Sequence, residues 1–200
     1  MRRITKVALG GVASCALILG GTQAASGALS TIFREHAENL LLAPDADRPF
    51  DQAKAKITIA EESDSTTFSI TVSKIDPSLE NTELGSHLHV GPCVEESGAS
   101  AGPHYNHDAA TGVLPARINR ETEVWFDLVP SADGVAYAET TVPFVPDDSF
   151  PSNPAWVPGV MSVVIHELET DEDGSLWGEG LGYAGTRQAC FPLSVPQWAE

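Results

Sequence analysis

The sequence predicts an all-β domain, an antiparallel sandwich or barrel with long loops and one short N-terminal helix. Three observations predict it: apolar residues recur at every second position in several short runs, Gly, Pro and Asp punctuate those runs, and only one segment beyond the leader has helical periodicity. Two hundred residues, 42% hydrophobic and 7% aromatic, suffice for one ordinary domain and its core. There is no internal repeat.

Residues 1–26 have the form of a secretory signal peptide. Basic MRRITK precedes apolar VALGGVASCALILGG, which is too short and glycine-rich to span a bilayer comfortably, and small residues in TQAASGA offer cleavage after Ala24 or Ser26. Ala13, Ser14 and Cys15 also fit a lipidation site, but the ALILGG that follows is apolar where a lipoprotein tether is polar. Residues 27–50 read as an N-terminal extension. Within it Ile32, Phe33, Ala37, Leu40 and Leu41 recur at helical spacing, with Ser30 or Thr31 as cap and Pro44 as stop, which predicts a helix over residues 30–43 with His36 on its surface.

Residues 51–200 read as the β domain. Ile57 and Ile59 alternate with Lys56 and Thr58, and Phe68, Ile70 and Val72 with Ser69, Thr71 and Ser73, on either side of EESDST; that is a hairpin. TEVWFDLVP and GVAYAETTVPF predict a second hairpin through Ser131, Ala132, Asp133 and Gly134, where Asp-Gly supplies the positive-φ position of a tight turn. GVMSVVIHEL is a further strand. The acidic HELETDEDGSLWGEGLGYAGT after it is too long and polar for a hairpin turn and reads as a functional or mobile loop.

Charge narrows the function classes. The formal net charge of −17 becomes −20 once the three cations Arg2, Arg3 and Lys6 leave with the leader (−17 − 3). Such acidity argues against nucleic acid and anionic membranes as partners, leaving the signal peptide as the expected membrane contact and a secreted or envelope location. The same cut leaves two cysteines, Cys93 and Cys190, which in an exported chain read as one long-range disulfide rather than two buried thiols. Closing that loop would remove about 4–5 kcal/mol of unfolded-state entropy on the chain-entropy account.

Four of the six histidines lie in GSHLHVGPCVEESGASAGPHYNHD. On a strand, His87 and His89 share one face while Leu88 and Val90 share the other, so the apolar pair can face the core and both imidazoles the outer face. Paired neutral imidazoles suit a borderline transition metal, although His-x-His alone is unspecific. His104 follows a Gly/Ser/Ala-rich loop, and His166 sits on the late strand beside the acidic loop.

The motifs GSHLHVG, SAGPHYN, VVIHE and GYAGTRQAC, in that order, together with SADGVA, resemble anchor points of the copper-zinc superoxide dismutases across residues 53 to 195; the cysteine soon after His-x-His is similar to the bacterial branch. The resemblance implies an eight-stranded Greek-key β-barrel with copper on its outer wall, served by two long loops. It implies copper ligands at His87, His89, His104 and His166, with His104 matching the family's metal-bridging histidine and carrying a proton in the reaction. Arg187 matches the arginine that attracts and orients the superoxide anion, its fixed charge and fork of donors suiting that task; a salt bridge to the acidic loop is the alternative. A Cys93–Cys190 bond would then tether the loop of the arginine to the loop after His89.

Two departures stand out. Between His104 and SADG the family's zinc-bearing members place two more histidines and an aspartate, whereas this chain has only His107, Asp108 and Asp127. A structural zinc site needs four well-placed ligands, so zinc is not expected, and the second nitrogen of His104 needs another partner, Asp108 or Asp127. The acidic loop also carries Glu167, Glu169, Asp171, Glu172, Asp173 and Glu179 with no base, a field that opposes an incoming anion. The expected function is a secreted copper-dependent superoxide dismutase; the alternatives are a copper-buffering or copper-delivering module of the cell envelope and a metal-free interaction domain on the same fold.

Overall fold

The computed structural model describes residues 31–41, 48–146 and 160–194; the segment read as a leader, with Cys15, and the expected helix cap at Ser30 and stop at Pro44 lie outside them. Among the described residues, seven strands build two antiparallel sheets: β1 (Thr31–Glu38), β2 (Lys54–Glu61), β3 (Thr66–Ser73), β4 (Ser86–His89), β5 (Ala136–Val142), β6 (Val160–His166) and β7 (Arg187–Ser194). One sheet runs β1-β2-β3-β5 and the other β4-β6-β7. An eighth extended stretch, residues 124–128, lies along the free edge of β4, with backbone bonds from Leu84 to Leu128 (2.9 Å) and from Phe126 to Ser86 (2.6 Å). The fold is thus the antiparallel β class that the alternating runs predict. Phe68 of one sheet and Phe126 of the other meet edge-on at 6.1 Å inside the core, each burial of this kind being worth about 1.5–3 kcal/mol.

The β2–β3 hairpin forms as the alternation requires, with Ile57 opposite Ile70 and Ile59 opposite Phe68. The N-terminal helix does not form. Residues 31–38 are strand β1, paired along its length with β2, Ala37 facing Ala55 and Glu38 facing Lys54. The spacing of Phe33, Ala37 and Leu41 by four fits a helix turn and a strand period of two equally well, and pairing with β2 decides between them. Burial confirms the shorter period: Ala37, Asn39 and Leu41 are buried while His36, Glu38 and Leu40 are exposed.

The second hairpin is also corrected. Its turn is present, with Gly134 N–H on Ser131 C=O at 2.9 Å and Gly134 at φ 67°, but its arms part: residues 124–128 go to β4 and β5 goes to β3. The turn is therefore a corner between the sheets, one arm lying along β4 and the other paired with β3.

Asn39 closes the seam between the sheets next to the disulfide. Its Oδ1 accepts from Cys190 N and Leu41 N, both at 2.9 Å, and its Nδ2 donates to Phe50 C=O at 2.9 Å. Cys93 and Cys190 are bonded, joining the loop after β4 to β7.

Candidate metal centre

Four histidines from three separate parts of the chain converge. His87 and His89 stand on β4 opposite Val164 and Ser162 of β6, and His166 ends β6. His104 is carried back by the loop after β4, which pins itself to that strand through Tyr105 N on Leu88 C=O (2.7 Å) and Val90 N on Pro103 C=O (3.2 Å). Leu88 and Val90 enter the core, so His87 and His89 do lie on the outer face; yet both are 0% exposed, covered by that loop and the one after β6. One ring nitrogen from each of the four lies within 4.8 Å of the others. Ligands on opposite sides of an ion bound at the zinc–imidazole distance of about 2.0–2.1 Å stand about 4 Å apart, so the cage has only to tighten slightly.

The other ring nitrogens are held by the protein. His89 Nδ1 bonds Gly102 C=O at 3.0 Å, and His166 Nδ1 bonds Gly185 C=O at 3.2 Å. A carbonyl can only accept, so both rings carry their proton on Nδ1 and aim an Nε2 lone pair inward. Those two Nε2 atoms face each other at 3.3 Å. Burial, ahead of all other causes, brings His166 down to about 4 and holds His87 and His89 well below the ordinary histidine value, so all three rings are neutral near pH 7. Two lone pairs opposed at that distance with no proton between them call for a cation. His87 Nδ1, buried without a partner among the described residues, adds a third free nitrogen, and its Nε2 contacts Thr170 Oγ1 at 2.9 Å. The donor set is all imidazole, which suits copper or zinc.

His104 is held by neither Asp108 nor Asp127, as the sequence led us to expect, but by Glu123, at 2.9 Å from Nδ1 to Oε2. The same carboxylate accepts Trp125 Nε1 (2.8 Å) and Asn106 Nδ2 (3.0 Å), and these donors balance its burial. Asp108 instead takes a fork from Arg117 (2.7 and 3.0 Å), and Asp127 bonds Thr170 Oγ1 (2.8 Å) and pairs with Arg120. His107 stacks on Phe144 with ring centroids 4.4 Å apart. None of the three joins the cluster. Glu123 was missed because a single acid in TEVWF carries no motif; its placement two residues from Trp125 in an otherwise apolar run was the available signal.

Arg187 stands opposite His166 across a bulge: the register slips between Ile165↔Ala189 and His166↔Arg187, leaving Gln188 extra. Ala189, Phe191 and Leu193 face the core, so an unbroken alternation would send Arg187 inward; the slip brings it to the histidine side. Its guanidinium donates to Gly98 C=O and, at 2.6 Å, to Gly102 C=O, the oxygen that also holds His89. No carboxylate pairs with it among the described residues, so the salt bridge to the acidic loop is not formed. Arg187 lines an open depression of about 530 Å³ together with Gly98, Gly102, Pro103, Gly185 and Thr186.

The acidic loop is tied down. Buried Asp171 accepts the backbone N–H groups of Gly174, Ser175, Leu176 and Trp177 at 2.7 to 3.2 Å, and Arg120 reaches Glu172 from the loop after His107, its guanidinium 5.5 Å from the Trp125 ring centroid. Arg120 is a countercharge that the loop itself lacks.

No protein-family model matches the chain. A curated relative, the "Superoxide dismutase [Cu-Zn]" of Candida glabrata, is 34% identical over 141 residues, 68% of this chain and 84% of the relative. Among solved structures, the "clock protein EA4" aligns over 81% of this chain and 96% of its own, with a TM-score of 0.50 and 18% identity. A "SOD-like protein from Bacillus subtilis" aligns over 80% and 99%, with a TM-score of 0.50 and 19% identity. These two speak for the fold alone. The extent and identity of the curated match, laid over two antiparallel sheets on whose outer face four imidazoles gather, show that the chain belongs to the copper-zinc superoxide dismutase family.

Proposed function

We propose that the protein is an exported, copper-dependent superoxide dismutase. One observation carries the reading: three imidazoles with their second nitrogens anchored, and a fourth with a free Nδ1, converge beside a depression whose wall holds the Arg187 cation. His87, His89, His104 and His166 would hold the ion. Copper bound there would supply one-electron redox chemistry between Cu(II) and Cu(I), the chemistry needed to convert two superoxide ions and two protons into oxygen and hydrogen peroxide.

The chain's own residues do the rest. Arg187, fixed by two carbonyls, presents charge to an anion entering the depression. His104 has a side chain 20% exposed, the one ligand ring of the four that is not buried, and its Nδ1 is anchored on Glu123, so its Nε2 is the nitrogen able to hold and pass on a proton. Glu123 also stands where a second metal on His104 would have to bind, which favours a copper-only centre. The disulfide agrees with an oxidising compartment outside the cytosol.

Metal analysis of the mature protein paired with a dismutation assay tests the reading. One copper per chain with dismutation supports it; copper without dismutation favours the buffering module, and no copper returns the barrel to an interaction role.

A further inference from the structure

We infer that Thr170 and Asp127 form a relay that fixes which nitrogen of His87 is offered to the metal. This rests on the metal-centre reading above and adds residues for which the four-histidine set gives no role. His87 is the one ligand that must offer Nδ1, because its Nε2 lies 2.9 Å from Thr170 Oγ1. A hydroxyl next to a histidine does not by itself select a tautomer, since it can donate or accept. Thr170 is not free to choose: its Oγ1 is also 2.8 Å from Asp127 Oδ1, and a carboxylate only accepts. The single hydroxyl proton therefore goes to Asp127, the threonine oxygen turns a lone pair to the ring, and His87 must carry its proton on Nε2. Its Nδ1 is left as a bare lone pair in a fully buried position, with no other partner among the described residues.

Both ends of the relay are built in. Asp127 pairs with Arg120, which also holds Glu172, so the carboxylate is fixed in position by a cation from outside the metal cluster. Thr170 reaches the ring only because residue 85 is glycine: a Cβ there would stand 2.6 Å from Thr170 Oγ1 and 2.7 Å from Ala184 Cβ. Thr170 is itself buried. Thr170 and Asp127 are positioning residues that act through His87.

The test has two arms. In metal-free wild-type protein with ¹⁵N-labelled histidine, long-range ¹H–¹⁵N NMR should find the His87 proton on Nε2; a proton on Nδ1 would overturn the relay without any variant being made. In the second arm, Thr170→Val, which keeps the shape and removes the hydroxyl, should weaken Cu(II) binding about 10–100-fold in chelator competition and change the Cu(II) EPR hyperfine splitting. Thr170→Ser should restore both. Equal affinity and spectrum in wild type and Thr170→Val, or a serine variant as impaired as the valine one, would refute the proposal. Failure of wild type to bind copper would instead sink the metal-centre reading, while the NMR arm would still decide the relay.

Discussion

Replacing Glu123 with alanine is the sharpest perturbation of the site, because one carboxylate serves three donors. Removing it leaves Trp125 Nε1 and one proton of Asn106 Nδ2 without partners, in residues 1% and 7% exposed. Each buried orphan costs about 1–3 kcal/mol, so Glu123→Ala should destabilise the metal-free protein by about 2–6 kcal/mol. The third donor, His104 Nδ1, sits on a partly exposed ring and can turn to water, so its loss should appear in metal binding: about 10–100-fold weaker copper affinity, the scale for removing a partner of a ligand histidine. Glu123→Gln should fall between, since its oxygen can serve His104 and Trp125 while its amide N–H meets the amide N–H of Asn106. Urea unfolding of the metal-free protein and copper competition read the two effects separately. A stability loss under about 1 kcal/mol together with unchanged copper affinity would refute the reasoning.

Arg187→Ala should lower the dismutation rate while leaving the copper content intact, and an unchanged rate would remove its guiding role. Given the net charge of −17 and Glu167 bonded to Thr186 on the rim of the depression, the rate should stay flat or rise as salt screens a repulsive surface; a steep fall with ionic strength would contradict this. Arg117, chiefly through its side-chain hydrogen bond, holds Asp108 down to about 2, below its value in the unfolded chain. The stability from this pair is therefore complete above about pH 4 and is lost as pH falls towards 2. Asp108→Asn should flatten that part of the pH–stability curve, which acid titration of the unfolding midpoint would show.

Much of the site was legible because its signals are local. His87 and His89 declare a shared face by strand alternation alone, and the β2–β3 hairpin is two clean runs around a polar turn. What failed depends on distant partners. The spacing of Phe33, Ala37 and Leu41 cannot tell a helix from a strand until β2 lies beside it. The Asp133–Gly134 turn was right, but nothing local says that its two arms join different sheets. Glu123 and Thr170 reach their histidines across 19 and 83 positions of chain, a separation that no motif spans. The wall of the cage could be read from the sequence, whereas the braces behind it required the fold.

The carbonyl of Gly102 accepts a hydrogen bond from the His89 ring and another from the Arg187 guanidinium. On the proposed function, ion retention and anion capture would thus hang on one atom, in a residue at φ 71° that a side chain would strain. The two properties would then be mechanically inseparable: a drift of that peptide would loosen both together, so any lineage adjusting one would have to work through other atoms or accept a change in its twin.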